Sequence, residues 1–169
     1  MAKLTIKDIL AFEVLDSRGT PTVAAEVILS DDSSSVAYVP SGVSTGKHEA
    51  LELRDQDRSR FQGKGVLNAV NFINNELKES VIGLDPLDQK IIDANLCKAD
   101  GTDNKKVFGA NSILAVSIST LKASAVSKSV PLYQHVHSVY KEVSKTNRTP
   151  TLPAPTVSYT HLRAHETDS

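Results

Sequence analysis

The chain has 169 residues, of which 40% are hydrophobic and 23% charged, and its 19 Lys and Arg and 20 Asp and Glu give a formal net charge of -1. This length predicts one domain with enough apolar material for a core, and the near-neutral charge argues against nucleic acid or an anionic membrane surface as a partner. A single cysteine excludes an intrachain disulfide framework, and no apolar run approaches the ~18 to 20 residues that cross a bilayer. We therefore expect a cytoplasmic protein without a membrane span.

The first forty residues alternate in the manner of β-strands. Apolar residues of one parity begin the chain, and we expect the first strand to bury the face they share: Leu4, Ile6, Leu10, Phe12 and Val14. Two further alternating stretches follow at 23–29 and 36–39. The links are too short for parallel crossovers, so the pattern predicts a three-stranded antiparallel meander.

From about residue 60 the apolar period becomes helical. The spacing of Val66, Val70, Ile73 and Leu77 predicts an amphipathic helix, and a second helix follows with Asp85 as its expected N-cap. Residues 109–128 are apolar nearly all round, which predicts a helix buried on several sides, and a fourth helix is expected from 132 to 145.

Three strands followed by about four helices predict an α+β domain over residues 1–145. Residues 146–155 are polar and contain proline, as expected of a linker. Residues 156–169 show neither periodicity nor a core-forming cluster, so we expect a disordered tail there.

The segment 40–49 (PSGVSTGKHE) has the composition of a ligand-binding loop. Gly42 and Gly46 bracket hydroxyl residues, so backbone and hydroxyl groups can come close to a charged ligand. The segment differs from a P-loop, because three rather than four residues separate its glycines and His48 rather than a hydroxyl residue follows Lys47. A nucleotide-binding P-loop and an ordinary flexible loop remain as alternatives.

Other groups of polar residues favour structural interpretations. The acidic residues of 49–57 alternate with arginines, so the pattern favours a solvated charged face over a carboxylate metal site. The polar residues around Gly101 predict a turn. His135 and His137 are two apart, a spacing that points them in different directions on a helix.

Four segments in order resemble the enolase family: LDSRGTPTV (15–23), VPSGVSTGKHEALELRD (39–55), GKGVLNAV (63–70) and DGTDNKKVFGANSILAVS (100–117). The resemblance extends over about residues 3–155. It implies a small N-terminal domain, a three-stranded meander with helices, that precedes a large modified (β/α)8 barrel. The implied activity is that of a lyase, phosphopyruvate hydratase, which uses Mg²⁺ to dehydrate 2-phospho-D-glycerate to phosphoenolpyruvate in glycolysis. The family also implies a homodimer.

The resemblance assigns a lid over the substrate to the loop made of Ser41, Gly42, Val43, Ser44, Thr45 and Gly46. Ser44 is implied to give one Mg²⁺ its hydroxyl and its main-chain carbonyl. The family's lysine base, glutamate acid and carboxylate metal ligands lie in the barrel and have no counterpart here, so we expect no catalytic residue in this chain and no activity from it alone. Residues 156–169 do not match the family. The alternative is a non-enzymatic short form that pairs with full-length subunits.

Overall fold

An antiparallel sheet of three strands forms the first part of the fold. The computed structural model describes residues 3–42, 46, 49–146 and 148–152. Strands β1 (Ile6–Leu15), β2 (Pro21–Leu29) and β3 (Ser34–Val39) pair in chain order, with β2 in the middle. The predicted meander is confirmed, because short links join each strand to the next.

The face that β1 buries differs from the prediction. The pairing of β1 with β2 is irregular between Ile6 and Asp8, and a bulge of this kind moves the following side chains to the opposite face. Ile9 and Ala11 are therefore buried, whereas Leu10 and Phe12 are exposed. The expectation that one parity is buried throughout this strand was wrong.

In the described residues four helices follow the sheet, as the α+β prediction requires. The first is continuous through a π-helical turn and consists of α1 (Leu67–Phe72), the turn Ile73–Leu77 and α2 (Lys78–Val81). The others are α3 (Gln89–Asp100), α4 (Ala110–Ser127) and α5 (Leu132–Ser144). The predicted stripe of the first helix is confirmed, since Val66, Ile73 and Leu77 are buried and Val70 packs against the core.

The N-cap of α3 is Asp88, not Asp85. The Asp88 side chain accepts a hydrogen bond from the N–H of Ile91, while Asp85 accepts one from the N–H of Leu87 in the preceding turn. Both residues are aspartates, and the turn at 85–88 moves the start of the helix one turn along the chain.

Helix α4 packs against β2 and β3 and forms the centre of the core. Three of its buried hydroxyls donate to carbonyls of the preceding turn: Ser112 to Phe108, Ser119 to Ala115, and Thr120 to Val116. These bonds satisfy polar groups that would otherwise be costly to bury. The prediction of a helix buried on several sides is confirmed.

No single helix in the described part of the chain is long and apolar enough to cross a membrane. Helices α4 and α5, which are bent by 109° where they join, are together long and apolar enough for a span by length and composition only. Buried core helices have the same length and composition.

Candidate functional site

A tight turn after β1 directs an arginine towards the candidate loop. The Asp16 carboxylate accepts hydrogen bonds from the N–H groups of Arg18 (2.8 Å) and Thr20 (2.9 Å). The bond from Thr20 is the main cause that holds the pKa of the Asp16 carboxyl below its usual range, against the effect of desolvation. Held in this turn, Arg18 donates from Nη2 to the main-chain carbonyl of Ser41 at 2.7 Å.

A polar network fixes Ser41, where the candidate loop begins. The Ser41 hydroxyl donates to Glu52 Oε1 at 2.6 Å. Arg54 Nη2 donates to the same carboxylate oxygen at 2.7 Å and also to Ser41 Oγ. The other guanidinium nitrogen, Nη1, donates to the carbonyls of Pro21 (2.6 Å) and Lys64 (2.5 Å). Arg54 thus joins four segments of the chain at the base of the loop.

The segment after the loop is bonded to α4 and to the turn before it. Leu51 donates its N–H to Asn104 O (2.8 Å), and its carbonyl accepts from the N–H of Ala110 (2.7 Å). The buried Asn111 side chain accepts from the N–H of Leu53 at 3.0 Å and donates to the Leu53 carbonyl at 3.1 Å. The chain is therefore attached to the folded body at Ser41 and again at Leu51 and Leu53.

Charged residues near this segment also bond within the fold. Asp55 accepts from the N–H groups of Leu67 (2.8 Å) and Asn68 (2.9 Å), at the amino end of α1, where a carboxylate is favourable. Arg60 donates to Glu13 on β1 at 2.5 Å. The expected solvated charged face was wrong for Glu52, Arg54, Asp55 and Arg60, because each of these side chains bonds to a residue at least 11 positions away in sequence.

Two recesses meet at the start of the candidate loop. One, of about 180 Å³, lies between Ser41–Gly42, Glu49–Ala50 and the first residues of α4. The other, of about 310 Å³, is lined by the three cationic side chains of Arg18, Arg54 and Lys64 together with Thr20, Ser41 and Gly42. Hydroxyl and cationic groups therefore converge at Ser41 and Gly42, where the candidate loop begins.

Comparison with known proteins decides the family. The family model "Enolase, N-terminal domain" matches residues 6–136. The chain belongs to the enolase family. It is 51% identical over 146 residues to the enolase of Ehrlichia canis (strain Jake), which covers 86% of this chain and 35% of that protein. It is 53% identical over 133 residues to the enolase of Helicobacter pylori (strain HPAG1), which covers 79% of this chain and 31% of that protein. The chain thus spans about a third of the length of these curated relatives.

Part of the predicted enolase loop can be located in this structure. Ser41 and Gly42 begin the loop at the Arg54 network, and exposed Gly46 accepts a hydrogen bond through its carbonyl from the N–H of Glu49 at 3.2 Å. Val43, Ser44 and Thr45 lie outside the described residues, as does the segment 156–169 expected to form the tail.

Among the described residues, no group of three or more His, Cys, Asp and Glu side chains could hold a metal ion.

Arg18, Arg54 and Asn111 were not predicted to act on the loop. The signal for Asn111 was a polar residue at the start of an otherwise apolar helix. For the two arginines the sequence offered only their places in the motifs 15–23 and 39–55.

Proposed function

We propose that this chain is the lid-bearing domain of a phosphopyruvate hydratase, a cytoplasmic glycolytic lyase that uses Mg²⁺ to convert 2-phospho-D-glycerate to phosphoenolpyruvate. The family match over residues 6–136 supports the enzyme class. The observation that carries the lid assignment is the anchoring of the chain on either side of the loop, at Ser41 by Glu52 and Arg54 and at Leu53 by Asn111.

The proposed reaction explains why such a loop is useful. Removing a proton beside a carboxylate generates a second negative charge, and water in the site would screen the cations that stabilise it. Mg²⁺, when bound, supplies positive charge for that intermediate. In our proposal Gly42 and Gly46 allow the loop to bend, its closure excludes water, and Ser44 offers its hydroxyl and carbonyl oxygens to a metal held mainly by residues outside this chain.

The chain alone is proposed to be inactive. Oriented charge and positioned acid–base groups supply most of the barrier reduction in such a reaction. By the family resemblance those groups belong to the barrel, and the described residues contain no cluster of three or more His, Cys, Asp and Glu side chains in place of the barrel's metal ligands.

A chimera tests the proposed role of Ser44. The chain is joined, at the end of the matched region, to the remainder of the Ehrlichia canis enolase. Ser44→Ala should raise the Mg²⁺ concentration required by about 10- to 100-fold and lower kcat, as expected for loss of a metal contact. The control is Ser138→Ala on α5, whose hydroxyl bonds to Gln134 O and to no other described residue. Equal Mg²⁺ dependence in the Ser44→Ala and Ser138→Ala chimeras would contradict the assignment.

A second candidate function is a non-enzymatic short form that pairs with full-length enolase subunits. The outer face of the sheet favours it, because Phe12 and Tyr38 are 52% and 62% exposed and flank Ala24 in one cross-strand row. Exposed apolar patches of this kind are typical of protein interfaces. Co-elution of the chain with a full-length enolase in size-exclusion chromatography, lost in Phe12→Ser, would support pairing. A monomer that never co-elutes would contradict it. We expect the full-length protein itself to be a homodimer.

A further inference from the structure

Helix α5 is attached to the domain by few buried side chains. His135 is its one buried residue, and it is 2% exposed. Several large residues of the same helix are exposed: Tyr133, Val136, Tyr140 and Val143. The hydrophobic core contains no residue of α5 among the described residues. The position of α5 against α4 therefore depends strongly on the surroundings of one imidazole.

That imidazole has no hydrogen-bond partner within the part of the chain that the structure describes. Both Nδ1 and Nε2 are buried and unpaired. A neutral imidazole needs one acceptor for its single N–H, whereas a protonated one has two donors and a full charge. Burying an unpaired charge costs much more than burying an unpaired neutral group, so this site favours the neutral ring.

The charged groups around α5 act in both directions on this histidine. Burial is the main cause that lowers the pKa of His135, Lys128 at the end of α4 lowers it further, and Glu142 on α5 raises it in part. A cleft lies between the C-terminal half of α5 and α3 with the turn before it. Charged groups from both sides line this cleft: Asp85, Asp88, Lys90 and Asp93 from α3 and its preceding turn, and Glu142 and Lys145 from the end of α5. Four carboxyl groups and two lysines line that cleft, and burial still holds the pKa of the imidazole below its usual value, in favour of the neutral form.

We propose that His135 is an acid-sensitive latch, whose protonation releases α5 from α4 while the sheet and the other helices stay folded. Release is local because the core excludes α5, so little core surface is exposed when this helix detaches. The latch is closed at pH values above about 6.5, the value for histidine in an unfolded chain. As the pH falls below that value, the released state binds one more proton, and its equilibrium constant rises by up to tenfold per pH unit.

Hydrogen exchange of the intact chain at pH 7.5 and pH 5.0, corrected for intrinsic rates, tests the latch. Protection of the amides of α5 should fall about tenfold or more between these pH values, whereas that of β2 should not change. The carboxyls with lowered pKa values, such as Asp8, Asp31 and Asp100, titrate below 3.8 and do not contribute in this range.

Two matched variants assign the effect to one residue. His135→Leu should abolish the pH response of α5, and His137→Leu, on the same helix but less buried, should retain it. Unchanged α5 protection in the wild-type chain, or a response that survives His135→Leu, overturns the proposal. If His135→Leu does not fold, an NMR titration of the wild-type ring decides, since a His135 midpoint at or above 6.5 would also overturn it.

Discussion

Replacing Gly109 with alanine tests how closely α4 approaches the segment that follows the candidate loop. Gly109 has φ 84° and ψ 144° at the amino end of α4. A β-carbon added there would lie 2.5 Å from Leu53 Cβ, 2.9 Å from Leu53 N and 2.5 Å from Asn111 Oδ1. The substitution therefore strains the backbone and also displaces the pair of residues that attach the loop.

The two effects have separate magnitudes. A non-glycine residue in this backbone region costs about 1–3 kcal/mol. Overpacking against main-chain atoms costs about 1–3 kcal/mol more. We expect Gly109→Ala to lower the free energy of unfolding by about 2–6 kcal/mol, a large part of the roughly 5–15 kcal/mol typical of a domain. Gly83→Ala is the matched control, because Gly83 also has a positive φ of 78° but no atom of the described residues lies within 4 Å of an added β-carbon.

Urea unfolding at pH 7.5 measures both variants, and hydrogen exchange of the Leu53 amide reports the loop attachment. Gly83→Ala should cost about 1–2 kcal/mol and leave Leu53 protection unchanged relative to the rest of the domain. Gly109→Ala should cost more and selectively reduce that protection. Equal destabilisation by the two substitutions, with no selective change at Leu53, would refute the close approach of α4 to this segment.

Further predictions concern the polar groups that hold the fold together. Asp100 is buried and accepts hydrogen bonds from the N–H groups of Thr102, Val107 and Phe108. We expect Asp100→Asn to lower the free energy of unfolding in urea by about 2–4 kcal/mol. The control Asp103→Asn, on the exposed side of the same turn, should lower it by less than about 0.5 kcal/mol. Burial raises the pKa of the Asp100 carboxyl, but the hydrogen bonds together lower it by more, so the folded-state pKa lies below the usual value. The stabilisation from Asp100 is therefore complete above about pH 4 and is lost as the pH falls through the folded-state pKa. A urea unfolding midpoint that does not change between pH 5 and pH 2 would contradict this. The Asn74 side chain bonds to both backbone groups of Ala11 on β1, so Asn74→Ala should lower the free energy of unfolding by about 1–3 kcal/mol in thermal or urea unfolding. The control is Asn75→Ala, because the Asn75 amide bonds to Asn71 and to no other described residue. A loss in Asn74→Ala no larger than that in Asn75→Ala would contradict this role.

Local periodicity predicted the helices because it depends on neighbours within one turn. The stripe Val66, Val70, Ile73 and Leu77 is spaced for one helical face, and it reaches the core even though a π-helical turn interrupts the helix. The buried α4 was predicted from the same kind of pattern. A helix whose residues are small or apolar on nearly every side is buried in the core, because it has no polar face to present to water.

Features set by pairing between distant segments could not be read in this way. The parity of β1 changes at an irregularity that is defined only by its pairing with β2. The start of α3 moves to Asp88 because the residues 85–88 form their own turn, where Ser124 of α4 also bonds to the Pro86 carbonyl. No local sequence signature marks the irregularity in β1, and none distinguishes Asp88 from Asp85 as the N-cap of α3.

The candidate site shows the same division. Its loop was predicted from its glycines and hydroxyl residues, but its attachment was not. Arg54 reaches the carbonyl of Pro21, 33 residues earlier, and Asn111 reaches Leu53, 58 residues earlier. A charged side chain in a mixed run of acids and arginines is indistinguishable in sequence from a solvated one until the fold supplies its partners.

We propose that this chain carries the lid of an enolase and that the groups that perform the reaction belong to the barrel. The most direct measurement is the rate of phosphoenolpyruvate formation from 2-phospho-D-glycerate and Mg²⁺, for the chain alone and for its chimera with the remainder of the Ehrlichia canis enolase, at equal concentrations. We expect no turnover above blank for the chain alone and clear turnover for the chimera. Turnover by the chain alone that is abolished by EDTA, or a folded chimera without activity, would contradict it.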